Sequence, residues 1–232
     1  MGIGTALWQG FASFFSIWQI CILQISPFFI AFLLGLYLAT RQPRPDAAIG
    51  QWVLLPYAAY VAGFCIFYAL LIASGLDISR SILYQIGNLR VASGFVILFV
   101  ALYLLLLNRL PLLERMHSPL LASVLALLIG ITFATIYSPC ITPTLSEIMS
   151  LAAQRGTATE GWLLAFFYGL GISLALGITS IALILYIRKR RVSEKRARLI
   201  VVVCALVVLV PALLNITGQM RHYKAFFLGF LV

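Results

Sequence analysis

The chain is poor in charge, in cysteine and in cofactor-binding motifs. Charged residues make up 9% of its 232 residues and hydrophobic residues 63%, with a mean hydropathy of +1.08. So little charge excludes a soluble domain of ordinary composition. There is no haem, flavin, nucleotide or phosphate motif, so we expect no bound cofactor. The four cysteines include no Cys-x-x-Cys pair and no zinc-type spacing, so we also expect no metal centre.

Long apolar stretches dominate what is present. A stretch of about 18 or more apolar residues is long enough to cross a bilayer as a helix. Six stretches predict an all-α membrane protein with six transmembrane helices in one integral membrane domain, residues 1–232. They cover residues 11–39, 51–75, 91–108, 119–151, 161–187 and 199–217.

Lys and Arg are distributed unevenly between the predicted loops. The loops after the first, third and fifth stretches hold 11 of them, and those after the second, fourth and sixth hold 5. Because cytoplasmic loops carry the excess of positive charge, we expect the first set to face the cytoplasm. This predicts a cytoplasmic (inner) membrane protein with both termini outside.

The net charge of +10 raises the question of nucleic-acid binding. Most of that charge lies between Arg188 and Arg198, next to a predicted span. A basic cluster in that position is typical of a topological anchor that meets anionic lipid headgroups. We therefore expect membrane lipids, and no nucleic acid, as partners of this segment.

The sequence also indicates two related halves, residues 1–110 and 118–232 approximately, with three predicted helices each. An odd number of spans in each half requires the halves to have opposite orientations, as in the inverted repeats of transporters. Three features recur at similar separations: Ser26-Pro27 with Ser138-Pro139 (112 residues), Tyr60–Gly63 with Tyr168–Gly171 (108), and Arg90 with Arg198 (108).

The segment Tyr137–Pro143 places Pro139, Cys140 and Pro143 inside the fourth apolar stretch. Proline removes a backbone donor and clashes with the preceding turn, so we expect a helix break here. In lipid such a break survives where protein covers it or where it lines a wet cavity. Freed N–H groups and a following helix N-terminus stabilise a thiolate, which makes Cys140 the candidate reactive group.

Ser26 and Pro27 occupy the corresponding place in the first half, together with Phe28. We therefore expect the first transmembrane helix to be broken at this proline, as the fourth is. The residue directly after Pro27 is Phe28, whereas the residue directly after Pro139 is Cys140. Only the second predicted break therefore has a thiol that could react.

Glu147 follows the second break by one to two helical turns. An ionisable residue close to apolar surroundings is a functional candidate, here as a proton acceptor or a cation ligand. The alternative is that Glu147 lies near the outer surface and is hydrated. Cys65 and Cys204 sit in uniformly apolar runs, where free cysteine commonly acts as a small core residue.

The sequence resembles the CcdA proteins and the homologous membrane domain of DsbD. The strongest resemblance is Gly130–Pro143, which contains the Pro-Cys-x-x-Pro core, and it continues through Leu151–Gly156 and Tyr168–Gly171. Ser26-Pro27 falls where the first motif of the family belongs. The resemblance implies a thiol–disulfide oxidoreductase that passes reducing equivalents across the cytoplasmic membrane. Two motif cysteines, one in each half, exchange electrons with thioredoxin-like partners on either side and serve cytochrome c maturation.

Carried onto this chain, the resemblance makes Cys140 the second motif cysteine and places Phe28 at the first, with Ala31 in place of the following proline. Cys21 is the possible substitute thiol. It lies seven residues before Phe28, about 10 Å along a continuous helix, whereas a disulfide needs Cα atoms within about 7 Å. Cys21 could therefore reach Cys140 only if the first helix were shifted or unwound. Otherwise Cys140 would act alone, through mixed disulfides with a partner.

Two other functions fit the same features. A soft-metal or small-solute transporter would use the inverted repeat and a thiol at a broken helix, and it requires a polar path to Cys140. A non-catalytic structural subunit would keep the fold without the chemistry, tolerate Cys140→Ser and associate with other membrane subunits.

Overall fold

The computed structural model describes residues 2–15, 20–41, 50–74, 79–107, 118–136, 143–153, 158–189, 193–219, 222–223 and 225–226, and the regular structure within them is helical. A five-residue π-helix, Gly50–Leu54, leads into the third of eight described α-helices. The helices are α1 (Ile3–Phe15), α2 (Ile20–Arg41), α3 (Leu55–Ser74), α4 (Ser79–Leu107), α5 (Pro119–Ile136), α6 (Pro143–Ala153), α7 (Ala158–Lys189) and α8 (Glu194–Ile216).

Three helical segments are long and apolar enough to cross a membrane: Gln51–Ile72, Thr159–Lys189 and Glu194–Ile216. Three shorter apolar segments lie in α2, α4 and α5, namely Ser26–Ala39, Val91–Leu107 and Pro119–Thr135. The predicted all-helical membrane protein is confirmed. The count of six transmembrane helices stays a prediction.

The beginning of the chain differs from the sequence-based prediction. The stretch 11–39 was expected to form one helix broken at Ser26-Pro27, but α1 already begins at Ile3 and α2 continues through Pro27. Pro27 is exposed at the surface of the bundle, while Ser26 and Phe28 on either side of it are buried. An interior proline is tolerated in a membrane helix when neighbouring groups cover the freed backbone positions. The prediction that the first helix is broken at Pro27 is therefore wrong.

The fourth apolar stretch is divided between two helices. Helix α5 ends at Ile136 and α6 begins at Pro143. Proline suits the first helical position, because the N–H that it lacks would have no partner there. The expected restart of the helix after the two prolines is thus observed at Pro143. Residues 137–142 lie outside the described residues.

The helices form two groups that share a core. Helix α7 packs against α1, α3 and α6, and α3 also packs against α5; helix α8 packs against α2 and α4. A ladder of stacked rings runs along α3, with centroids 5.8 Å apart for Tyr60 and Phe64 and 5.4 Å apart for Phe64 and Tyr68. The ladder reaches α7 at Tyr168, whose ring centroid lies 6.5 Å from that of Tyr68.

Candidate functional site

The proposed reactive segment lies between two helices with different neighbours. Cys140, Ser138 and Pro139 fall outside the described residues, as stated above. The helices on either side of them are described: α5 packs on α3, and α6 packs mainly on α7. The motif therefore connects a helix held by the first half of the chain to one held by the second. Pro143 opens α6, so the free N–H groups of its first turn follow Cys140 closely in the chain.

A polar contact ties the start of α6 to α1. The Thr144 hydroxyl donates a hydrogen bond to the Gln9 side-chain oxygen. Thr144 comes four residues after Cys140, so an extended chain places the two residues no more than about 14 Å apart. Thr144 is one of several hydroxyl residues that follow Cys140 in the sequence. Gln9 could not be found from the sequence, because no motif marks it.

Helix α1 is docked on α7 by direct contact between backbones. A Cβ atom added to Gly10 would overlap the Tyr168 carbonyl oxygen, and one added to Gly171 would overlap the Leu7 carbonyl oxygen. Only glycine allows two helices to approach this closely. Gln9 directly precedes Gly10, so this crossing also fixes the residue that binds Thr144.

A second crossing of the same kind joins α5 to α3. A Cβ atom on Gly130 would overlap the Tyr60 carbonyl oxygen, and one on Gly63 would lie 2.7 Å from the Leu127 carbonyl oxygen. The helix that precedes the motif is therefore anchored on α3 at the level of Tyr60. Gly130 is part of the motif that resembles the CcdA family, and its position here is explained by close packing.

Small residues of α7 pack against larger side chains of α3. Gly169, Ser173 and Gly177 lie one turn apart. A Cβ atom on Gly169 would lie 3.1 Å from the Tyr68 ring, and one on Gly177 would overlap the Tyr57 ring. This small-residue face of the fifth apolar stretch is a close-packed helix interface.

The cysteines of the described core are buried. Cys65 Sγ lies 3.8 Å from Ser173 Oγ, and Cys204 faces Gly35, where an added Cβ would lie 3.1 Å from the Cys204 Cβ. Both are free thiols with relative exposures of 0% and 5%. Their predicted role as small core residues is confirmed, and neither thiol is open to a partner protein.

Phe28 is buried at the position where the resemblance expects the first motif thiol, with 5% of its surface exposed. Its ring centroid lies 6.2 Å from that of Tyr223. Burial raises the pKa of Tyr223 above its ordinary value of 10.0. Position 28, where the resemblance expects a cysteine that could pair with Cys140, is thus filled by an aromatic side chain in contact with Tyr223.

Cys21 is the second residue of α2, and its side chain is outside the described part of the chain. Because α2 is helical from Ile20 through Phe28, the rise between Cys21 and Phe28 is about 10 Å. The unwound first helix that would bring Cys21 to the level of Phe28 is therefore not observed. A substitute role for Cys21 receives no support from the course of α2.

Glu147 is exposed on α6, and its backbone carbonyl accepts a hydrogen bond of 2.7 Å from the Ser150 hydroxyl. A carboxylate exposed to hydrocarbon would be costly, so its exposure favours the hydrated alternative. Among the described residues, no group of three His, Cys, Asp or Glu side chains could hold a metal ion. A proton-accepting role for Glu147 stays a prediction.

Taken together, the apolar helices and the proline-flanked thiol of the sequence define a helical membrane protein with one candidate redox motif. The chain is 26% identical to the cytochrome c-type biogenesis protein CcdA of Halalkalibacterium halodurans, in an alignment of 233 residues that covers 97% of this chain and 94% of that protein. It is also 26% identical over 177 residues to a Haemophilus influenzae protein named for cytochrome c-type biogenesis, covering 74% of each chain. These similarities confirm the resemblance to the CcdA family. No protein-family model and no solved structure matches the chain.

Proposed function

We propose that this chain is a CcdA-like thiol–disulfide exchange protein of cytochrome c-type biogenesis, with Cys140 as its motif thiol. The observation that carries this proposal is the similarity to CcdA across 97% of the chain. A match of that extent includes both halves and the loops between them, so it does not rest on the Pro-Cys-x-x-Pro segment alone.

The proposed chemistry uses one thiol. The Cys140 thiolate attacks the disulfide of an oxidised thioredoxin-like partner, which forms a mixed disulfide and releases one partner thiolate. A thiolate of a reduced second partner then attacks the Cys140 sulfur and releases the first partner as a dithiol after proton uptake. The second thiol of the second partner closes its own disulfide and frees Cys140. Two electrons and two protons pass from the second partner to the first.

Several features favour this one-thiol form over a two-cysteine relay. Phe28 fills the first motif position with a buried ring, and α2 keeps Cys21 about 10 Å from that level. Cys65 and Cys204 are buried within helix interfaces. Each alternative thiol is thus either displaced along a helix or closed off by packing.

We further propose that the chain crosses the membrane six times and forms two inverted repeats. Helices α1 to α4 belong to the first repeat, and α5 to α8 belong to the second. The two glycine crossings support this arrangement, since each joins the first helix of one repeat to a long helix of the other. Equivalent contacts recur at constant separations: Leu7 and Gly10 precede Leu127 and Gly130 by 120 residues, and Tyr60, Gly63 and Cys65 precede Tyr168, Gly171 and Ser173 by 108.

The proposed location is the cytoplasmic membrane, with both termini outside. The distribution of Lys and Arg, 11 against 5, supports this orientation. It places the loop between α7 and α8 on the cytoplasmic side. The reduced and oxidised thioredoxin-like partners would then approach from opposite sides of the membrane.

The test is complementation of a bacterium whose own CcdA-type gene has been deleted, read out as c-type cytochromes with covalently attached haem. We expect the wild-type chain to restore them and Cys140→Ser to abolish the restoration. Cys65→Ser and Cys204→Ser are matched controls, which should restore normally because both thiols are buried core groups. Restoration by Cys140→Ser would overturn the thiol chemistry and favour a structural subunit.

A further inference from the structure

We propose that α1 and α6 form the walls of a water-filled groove, which leads from one membrane surface to Gln9 at the depth of the acyl chains. The groove holds water and admits small hydrophilic solutes, whereas lipid is excluded from it. It depends on the membrane character of the chain and not on the proposed thiol chemistry.

Two faces of α1 have clear surroundings. One face is made of small residues and is buried where α1 packs against α7, namely Ala6, Gly10 and Ser13. The opposite face carries stacked aromatic rings, with centroids 5.9 Å apart for Trp8 and Phe11 and 5.4 Å apart for Phe11 and Phe15. Trp8 and Phe15 are exposed. Large exposed rings of this kind suit contact with lipid.

The third face of α1 has a different character. It contains Thr5, Gln9 and Ala12, which are all exposed. At 3.6 residues per turn, this face is rotated by about 100° from each of the other two. A helix whose exposed sides both met lipid would be apolar all round. The third face carries small or polar side chains instead, so it is suited to water.

Gln9 lies well below the membrane surface. It directly precedes Gly10, where an added Cβ atom would overlap the Tyr168 carbonyl oxygen. Tyr168 is eight residues from the charged Glu160 and 20 residues from the charged Arg188, which is about 12 Å and about 30 Å along α7. Because the headgroup region on each side of the hydrocarbon is about 5–7 Å thick, Gln9 is at the level of the acyl chains.

Helix α6 connects this depth with the membrane surface. A Cβ atom added to Gly161 would overlap the backbone of Ala152, close to the link between α6 and α7. At the other end of α6, the Thr144 hydroxyl donates a hydrogen bond to the Gln9 side-chain oxygen. The stretch of α6 between these two contacts therefore runs antiparallel to α7, from the membrane surface to the level of Tyr168.

The side of α6 that faces away from α7 is polar. Glu147 and Ser150 are exposed on it, whereas Leu145 and Ile148 are buried on the other side. A carboxylate exposed to hydrocarbon is strongly unfavourable. The exposed side of α6 is therefore the second surface of the groove, and it is wet along the length of the helix.

The two polar surfaces meet at one hydrogen bond. The Gln9 oxygen accepts the Thr144 O–H, so the two N–H donors of the Gln9 carboxamide are not used in that bond. Amide donors that meet only hydrocarbon are costly, whereas water satisfies them. One water-filled space next to α1 and α6 thus accounts for the exposed polar groups of both helices.

The experiment measures the reactivity of single cysteines in a full-length chain that carries Cys21→Ser/Cys65→Ser/Cys140→Ser/Cys204→Ser. Gln9→Cys probes the groove. Trp8→Cys is the matched control, because Trp8 is the neighbouring residue and is 65% exposed on the aromatic face. Membranes open on both sides are treated with a charged, membrane-impermeant methanethiosulfonate, and the remaining thiols are counted by maleimide gel-shift. We expect Gln9→Cys to react at least about tenfold faster, because the reactive thiolate forms in water and not in hydrocarbon.

Equal rates for Gln9→Cys and Trp8→Cys in folded protein would overturn the groove. Ser150→Cys preserves the size of the side chain, so it tests the α6 surface even if Gln9→Cys does not fold. It should also react at least about tenfold faster than Trp8→Cys. A Ser150→Cys rate as low as that of Trp8→Cys would overturn the groove as well.

A spectroscopic measurement on the same variants separates water from lipid directly. A nitroxide attached to Gln9→Cys should be relaxed more strongly by a hydrophilic nickel complex than by dissolved oxygen, and one attached to Trp8→Cys should show the reverse. A stronger response to oxygen at position 9 would assign the third face of α1 to lipid.

Discussion

The Sγ atom of Cys65 lies 3.8 Å from the Oγ atom of Ser173, and the two residues are 108 positions apart. The same separation relates Tyr60 to Tyr168 and Gly63 to Gly171. Residues at equivalent positions of two inverted repeats can touch each other only close to the axis that relates the repeats. The Cys65–Ser173 contact therefore marks the place where the proposed pseudo-twofold axis passes between α3 and α7.

A cysteine at position 173 should be close enough to Cys65 for a disulfide. We expect Ser173→Cys to give an intramolecular cross-link with copper phenanthroline, detected as maleimide protection of both thiols. Ser180→Cys is the control, because this buried residue lies about 10 Å further along α7, beyond the reach of a disulfide. Failure of Ser173→Cys to cross-link in folded protein would contradict the α3–α7 packing described above.

Adding a methyl group at Gly10 should loosen the docking of α1. The new Cβ would meet a backbone carbonyl of α7, which cannot move aside as a flexible side chain could. We expect Gly10→Ala to destabilise the protein by about 1–3 kcal/mol, measured as a lower unfolding temperature in detergent. Gly4→Ala is the control on the same helix, since an added Cβ there meets nothing within 4 Å. Equal stability of the two variants would contradict the close crossing.

Equivalent crossings should respond alike. The Gly130 Cβ would meet the Tyr60 carbonyl as that of Gly10 would meet the carbonyl of Tyr168. Gly130→Ala should therefore also destabilise the protein by about 1–3 kcal/mol, and the same thermal measurement applies. If Gly10→Ala lowers the unfolding temperature and Gly130→Ala does not, the proposed equivalence of α1 and α5 is contradicted.

Restoring a thiol at position 28 should restore a two-cysteine motif. We expect Phe28→Cys to form a reductant-sensitive disulfide with Cys140, which is lost in the Phe28→Cys/Cys140→Ser double variant. Phe28→Ala is the matched control, because it removes the same buried ring at a cost of about 3–5 kcal/mol without supplying a thiol. If Phe28→Cys stays fully reduced in oxidising medium, position 28 does not face Cys140.

The hydrogen bond from Thr144 to Gln9 should influence the motif that precedes it. Thr144→Val keeps the shape of the side chain and removes the donor, so the start of α6 loses its tie to α1. We expect the alkylation rate of Cys140 by iodoacetamide to change at least about twofold, since a bond of this kind contributes about 0.6 kcal/mol. Ser146→Ala, at an exposed position of the same helix, should leave the rate unchanged. Equal alkylation rates in the wild type and both variants would show that the hydrogen bond between Thr144 and Gln9 does not influence Cys140.

The sequence was sufficient to predict the membrane class and the helix that begins at Pro143, because apolar length and proline act locally. Gly63 and Gly171 could be recognised as related through their repeated Tyr-x-x-Gly setting. Gly10 could not, since the need for glycine there arises from the carbonyl of Tyr168 in a distant helix. The break expected at Pro27 was wrong for a similar reason. Whether proline interrupts a helix depends on what surrounds it, and here Ser26 and Phe28 are held in the core.

The most direct test of the central claim is a maleimide gel-shift assay on the protein in native membranes, with and without reductant, for wild type and single Cys→Ser variants. The account predicts a reductant-sensitive shift that requires Cys140 and is unaffected by Cys65→Ser, Cys204→Ser or Cys21→Ser, as a mixed disulfide of one thiol demands. A requirement for a second cysteine would instead establish a relay within the chain. A Cys140 thiol that is fully reduced under every condition would contradict thiol–disulfide exchange altogether.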